Sequence, residues 1–285
     1  MVTETALAAP AEQSLAASAS GSSAPIGVFD SGLGGLTVAH AIMRQLPGES
    51  LVYFGDTARV PYGPKSPETV RRYSGEITSF LIEQGVKAIV VACNTATAHA
   101  LSMLRDTLDV PVIGVVEPGA RAAVRATRTG RIGVIGTAGT IRSEAYVRAI
   151  RAESADATVI ALPCPLFVPL VEEGWTSHDA TRLVAREYLA PFLDNAVDTL
   201  VLGCTHYPLL KPMIADIVGP DVRLIDSAEE TAADTRRMLA ANELESRDGE
   251  ASYRFIASDD PKQFLTLGRR FFGGAIERVE VRTFG

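Results

Sequence analysis

The 285-residue chain is 47% hydrophobic and 21% charged, the composition of a globular protein rather than a disordered or fibrous one. Its 27 Lys and Arg against 34 Asp and Glu give a net charge of −7, which argues against direct nucleic-acid binding, and no apolar run approaches a membrane span. Three cysteines without a CxxC pair make neither a disulfide framework nor a zinc knuckle, so free thiols in a reducing, cytoplasmic setting are expected.

Residues 1–25 contain no Lys, Arg or aromatic residue. They lack the basic start and apolar stretch of a secretory signal and the Arg of a mitochondrial presequence. Such a segment buries too little apolar surface to offset its ordering entropy, so a disordered tail is expected, with a docking arm as the alternative. From Ile26 the pattern becomes regular. Ile26–Phe29 is an apolar strand candidate, and Leu36, Ala39, Ile42, Met43 and Leu46 then recur at helical spacing up to Pro47-Gly48. Leu51–Phe54 is the next strand, Val70 to Leu81 a helix, and Ala88–Ala92 and Val112–Val116 are further strands. The alternation restarts with strand Ile132–Ile135, a helix near Ser143–Ile150, strand Thr158–Leu162, helix Asp179–Phe192 and strand Thr199–Leu202. Strand Val222–Ile225, helix Glu229–Ala240 and a strand–helix–strand unit over Arg254–Ala257, Pro261–Phe272 and Val279–Val281 complete it. Near-continuous apolar strands separated by amphipathic helices define an α/β protein with parallel sheets covered on both faces.

Two segments recur. IGVFDS at Ile26–Ser31 resembles IGVIGT at Ile132–Thr137, and VVACNT at Val90–Thr95 resembles VLGCTH at Val201–His206, at nearly the same offset. The chain therefore reads as two related α/β units. In each, a cysteine directly follows a buried strand: Cys93 before Asn94-Thr95, and Cys204 before Thr205-His206, each polar pair being expected to open a helix. Ligands of open α/β sheets bind at the carboxyl ends of the strands. A helix N-terminus there lowers a thiol pKa from about 8.5 into the range of roughly 3.5–7.5.

If the units face each other, one thiol stands on each side of a shared cleft. Two thiols about one carbon suit a two-base racemase, in which one removes a proton and the other delivers one to the opposite face. A single buried cysteine more often just packs; two in duplicated strand-end motifs point to chemistry. Cys164, in Leu162-Pro163-Cys164-Pro165-Leu166, lies outside the duplicated motif and reads as structural. Asp30-Ser31 ends the first strand, and Gly32-Leu33-Gly34-Gly35 follows. Thr37 stands where the dinucleotide fingerprint requires its third glycine, and there is no GxxxxGK[ST] loop, so neither cofactor nor metal is expected. The glycine turn offers N–H groups suited to a carboxylate. Pro61-Tyr62-Gly63-Pro64 is a turn, His206 is a candidate proton partner of Cys204, and Asp30 is its counterpart near Cys93.

From Ile26 to the C-terminus the sequence resembles the bacterial glutamate racemases of the aspartate/glutamate racemase superfamily. The resemblance is carried by GVFDSGLGGLTV (Gly27–Val38), YFGDTARVPYGPKS (Tyr53–Ser66), VVACNTATA (Val90–Ala98), CPLFVPLVEEG (Cys164–Gly174) and LVLGCTHYPLL (Leu200–Leu210). It implies cofactor-independent interconversion of L- and D-glutamate, supplying D-glutamate for peptidoglycan. Cys93 and Cys204 are then the acid/base thiols, acting on the D- and L-enantiomer respectively and assisted by Asp30 and His206. The implied substrate contacts are Asp30, Ser31, Pro61, Tyr62, Gly63, Asn94, Thr95, Thr205 and His206, with Thr137 and Thr140 in addition, and Glu172 is a carboxylate near His206. The implied fold is two pseudo-symmetric, doubly wound parallel-sheet domains with the site in the cleft between them. Residues 26–118 plus 226–285 form the first domain and 119–225 the second, because the C-terminal elements return to the first sheet. A homodimer is expected, and some relatives inhibit DNA gyrase. Aspartate racemases tend to carry Glu where this chain has His206, which favours glutamate. A single-thiol Cys–His hydrolase is the rival chemistry, and it leaves the second thiol unexplained.

Overall fold

The computed structural model describes residues 21–246, 250–272 and 276–284. The expected tail therefore lies outside the described residues up to Ser20. Its last five residues are seated on the fold instead, with the Lys87 backbone N–H donating to Pro25 O at 2.9 Å and Lys87 Nζ to Ser22 O.

Two parallel sheets organise the chain. The first has strand order β10-β9-β2-β1-β3-β4, built from β1 (Ile26–Asp30), β2 (Leu51–Gly55), β3 (Ala88–Val91), β4 (Val112–Gly114), β9 (Tyr253–Ala257) and β10 (Glu280–Val281). The second has order β6-β5-β7-β8, from β5 (Arg131–Gly136), β6 (Thr158–Pro163), β7 (Thr199–Gly203) and β8 (Arg223–Ile225). Every strand pairing is parallel. The strand order reverses beside β1 in one sheet and beside β5 in the other, which opens a crevice at the carboxyl ends of β1 and β3, and of β5 and β7.

Alternation along the strands makes the layers. Ile26 and Val28 join α1 (Leu36–Gln45), α10 (Ala228–Ala241) and α11 (Pro261–Phe272) on one face of the first sheet. Phe29 joins α2 (Pro67–Glu83) and α3 (Asn94–Thr107) on the other. In the second sheet Val134 and Val201 meet α4 (Val116–Ala126) and α6 (Ala145–Glu153), while Ile135 and Leu202 meet α8 (Asp179–Asp194) and α9 (Lys211–Val218). Each fully buried Ile, Leu, Val or Phe stabilises the fold by roughly 1.5–3 kcal/mol. The short α5 (Ala138–Arg142) and α7 (Phe167–Glu172) complete the second unit.

Three expectations change. The strand expected over Val112–Val116 stops at Gly114, and α4 begins at Val116 with Pro118 in its first turn, so the apolar run continues from strand into helix. Helices α5 and α7 were not foreseen. No α-helix opens at Thr205-His206; a 3-10 turn over Tyr207–Leu210 precedes α9, which carries proline in its first turn.

A buried ion pair stands at the amino ends of the first sheet. Lys87 Nζ, fully withdrawn from water, lies 2.6 Å from Glu49 Oε2, and Glu49 Oε1 accepts from the Ser246 N–H at 2.7 Å. Replacing Lys87 alone by Met strands the Glu49 carboxylate and is expected to cost about 3–5 kcal/mol in urea unfolding, most of it restored by adding Glu49→Leu. A loss below about 1 kcal/mol contradicts a desolvated pair.

Candidate active site

The thiols lie where the two sheets face each other. Cys93 follows β3 and caps α3: its Sγ accepts from the Ala96 N–H at 3.4 Å and lies 3.6 Å from Ser31 Oγ. The helix cap was expected to depress its pKa; burial and the nearby Asp30 charge outweigh the Ala96 N–H and Ser31, pushing the thiol up to about 12. Cys204 follows β7 without a helix cap, and its Sγ lies 3.9 Å from His206 Nδ1. His206 Nε2 in turn lies 3.1 Å from Glu172 Oε1. Burial alone would lower the imidazole pKa, but hydrogen bonds and charge from Cys204 and Glu172 win and raise it to about 10, so the ring is cationic at neutral pH. The two thiols are therefore set differently: one on a helix N-terminus beside a carboxylate, the other beside an imidazolium.

Asp30 is fully buried at the end of β1. Its Oδ2 accepts from the Gly32 N–H at 3.0 Å and its Oδ1 from Thr205 Oγ1 at 3.2 Å. Burial raises its pKa against the opposing influence of His206, the Gly35 and Gly32 N–H groups and Thr205. The glycine turn thus spends its Gly32 N–H on Asp30 rather than offering it to a ligand. Gly34 is required here for approach, since an added Cβ would collide with the Thr205 side chain across the cleft.

Between the thiols lies a narrow, partly open cavity of about 20 Å³. Its lining from the first unit includes Ser31, Pro61, Tyr62, Gly63, Cys93, Asn94 and Thr95. Thr137, Cys204, Thr205 and His206 face them from the second. Three expected contacts stand one bond further back. Asp30 lies beneath the floor, Thr140 completes a hydroxyl triad with Thr95 (3.2 Å) and Thr137 (3.0 Å), and Glu172 stands behind His206. Val60 and Val168 also line the cavity and were missed, because nothing distinguishes an isolated valine in a loop or a short helix.

The Pro61-Tyr62-Gly63 turn is held from behind. Tyr62 donates its hydroxyl to Asp56 Oδ2, and the fully buried Asp56 also accepts from Ser258 Oγ at 2.8 Å and from Arg59 Nε at 2.7 Å. At its tip Gly63 lies against α5, where a Cβ would come within 2.7 Å of Thr137. Cys164 is buried beside Tyr207, whose hydroxyl donates to the Cys164 carbonyl at 2.8 Å, and it does not line the cavity. A larger groove between α3, α4 and α6 is open to solvent, contains no Cys or His, and has Arg105 already paired with Glu117 at 3.0 Å.

A strand-end site with one thiol from each of two facing parallel sheets defines a class, and comparison with known proteins agrees. Residues 26–235 match the family model described as Asp/Glu/Hydantoin racemase. The glutamate racemase of Geobacter metallireducens is 55% identical over 255 residues, covering 89% of this chain and 94% of that one. A glutamate racemase isoform from Bacillus anthracis superposes with a TM-score of 0.87 at 41% identity, covering 92% of this chain and 97% of that one. The Francisella tularensis glutamate racemase, solved in complex with D-glutamate, gives 0.86 at 40% identity, with 92% and 98% covered. The chain belongs to the glutamate racemase family, isomerases that act on amino acids. Among the described residues no helix is long and apolar enough to cross a membrane.

Proposed function

We propose that the protein interconverts L- and D-glutamate without a cofactor, using Cys93 and Cys204 as the two acid/base groups. The observation that carries this is the placement of two buried thiols, one at the end of each sheet, on a single cavity. In the L-to-D direction Cys204, beside the His206 imidazolium, takes the Cα proton as the thiolate. Cys93 holds its proton at neutral pH and delivers it to the opposite face. In the reverse direction the roles exchange. The imidazolium shares its charge with Glu172, so the cavity keeps a cation beside the forming carbanion without a free base competing for the proton.

Substrate carboxylates find hydroxyl and amide donors on Ser31, Asn94, Thr95, Thr137 and Thr205, together with the α3 N-terminus. Asp30 and Glu172 act through Thr205 and His206 rather than by touching substrate. On this reading the product feeds peptidoglycan synthesis in the cytoplasm. The chain then works as two domains, 26–118 with 226–285 and 119–225, that close on the amino acid.

Circular dichroism of L- and D-glutamate, assayed separately without added cofactor, tests the reading. Signal should decay to zero from both sides. Decay with aspartate and none with glutamate keeps the chemistry and moves the substrate; no decay with either contradicts a racemase.

A further inference from the structure

Asn94 carries an unbalanced amide. It is 2% exposed, follows Cys93 on the first turn of α3, and forms part of the cavity wall. Its Oδ1 accepts a 2.7 Å hydrogen bond from the Tyr146 hydroxyl, while its Nδ2 is buried with no partner. Buried amide donors are almost always satisfied, so a lone unpaired one on a cavity wall implies an acceptor brought by a ligand.

The partner of Oδ1 comes from the other unit. Tyr146 lies on α6, is 2% exposed, and packs among Val134, Val201 and Ile150 of the second sheet's core. The Ser227 side chain, at the start of α10, lies beside the phenol. The ring has no room to swing. A Cβ on Gly119 would come within 3.2 Å of the phenol oxygen, and one on Gly203 within 3.0 Å of the ring. A phenol held in this way offers its proton in one direction, toward Asn94. An asparagine side chain can sit either way round, with oxygen and NH2 exchanged, and what decides between the two is the partner on one side.

We propose that Tyr146 is a positioning residue for substrate: by donating to Oδ1 it holds the Asn94 amide with NH2 turned into the cavity, ready for a carboxylate oxygen of the amino acid. This rests on the racemase reading above, which supplies the carboxylate. Without the hydroxyl, the amide is free to turn its oxygen toward that carboxylate. Both enantiomers carry the same carboxylates, and neither thiol is touched. The effect therefore falls on binding, and equally in both directions.

Tyr146→Phe keeps the ring and removes the hydroxyl. It should raise KM for both L- and D-glutamate by about ten-fold while kcat stays within about three-fold, the pattern of lost uniform binding. Asn94→Ala should raise KM comparably, and Tyr146→Phe added to it should change KM by less than about two-fold, because the two act as one unit. Asn94→Asp keeps the acceptor for Tyr146 and removes the donor; it should raise KM by at least about ten-fold, and it keeps the test decisive if the phenylalanine variant does not fold. An unchanged KM in Tyr146→Phe, a fall in kcat at constant KM, or independent multiplication of the two effects overturns the proposal. The unmodified protein is assayed alongside. Its failure to racemise either enantiomer sinks the racemase reading, whereas full activity with an unaffected variant sinks only the role of Tyr146.

Discussion

Replacing either Cys93 or Cys204 by serine is expected to lower kcat/KM by roughly 10³–10⁴-fold, with identical losses for L- and D-glutamate. A serine hydroxyl is far too weak an acid to exist as its anion beside His206, and it cannot supply the base that the Cα proton requires. The equality between directions is a thermodynamic constraint: enantiomers have the same free energy, so the equilibrium constant is one and kcat/KM must match in both directions for every variant. Initial rates followed by circular dichroism from each enantiomer check both the size and the symmetry. Cys164→Ala is the control. Its thiol packs against Tyr207 away from the cavity, and the hydrogen bond there goes to its backbone carbonyl, so activity should be retained. A single-thiol enzyme would instead lose activity with only one of the two and tolerate the loss of the other.

The second large effect concerns His206. His206→Gln removes the cation beside Cys204 and leaves the Glu172 carboxylate behind it, so the thiolate loses its partner and gains a like-charged neighbour. A loss of roughly 10²–10³-fold in kcat/KM is expected, within the range for a displaced general acid/base group. The pH profile adds a sign. The imidazole pKa is raised from 6.5 to about 10, so the cation is present below that value and disappears above it. Activity that depends on it should therefore fall as pH rises through about 10, and this limb should vanish in His206→Gln. Stability follows the same linkage. The folded state holds a proton that the unfolded chain releases near 6.5, so the contribution is complete below 6.5 and lost as pH rises to about 10. A profile with its alkaline limb unchanged in the variant removes His206 from this role.

Much of this was legible because the deciding signals are local. Apolar strands and helical spacing are properties of adjacent residues, and the strand-end cysteines follow from their position after Ala88–Val91 and Thr199–Gly203. The capping of α3 by Cys93 is visible in the polar pair that follows it. The same reasoning failed at Cys204, where Thr205-His206 looks alike but Tyr207-Pro208 leads into a 3-10 turn, so the duplication does not extend to the electrostatics. The helix-cap argument also misjudged Cys93, since desolvation and the Asp30 charge depend on burial that no local window reports. What remained hidden is pairing at long range. The Tyr146–Asn94 and Thr205–Asp30 hydrogen bonds join residues of different units, and nothing in the neighbourhood of any of them announces the partner. Glu172 belongs with these. From the sequence it appears only through the family resemblance, because a glutamate at the end of a short helix is otherwise an ordinary solvated charge.

The claim at the centre is that two separate bases act on opposite faces of one carbon. The most direct test runs the unmodified protein on L-glutamate in deuterium oxide, stops it early, separates the enantiomers and weighs each. The product D-glutamate should carry one deuterium at Cα while the recovered L-glutamate stays protiated, with the mirror result from D-glutamate. Product that retains the original hydrogen, or deuterium entering substrate and product alike, would mean that a single base serves both faces and that the second thiol is not part of the chemistry.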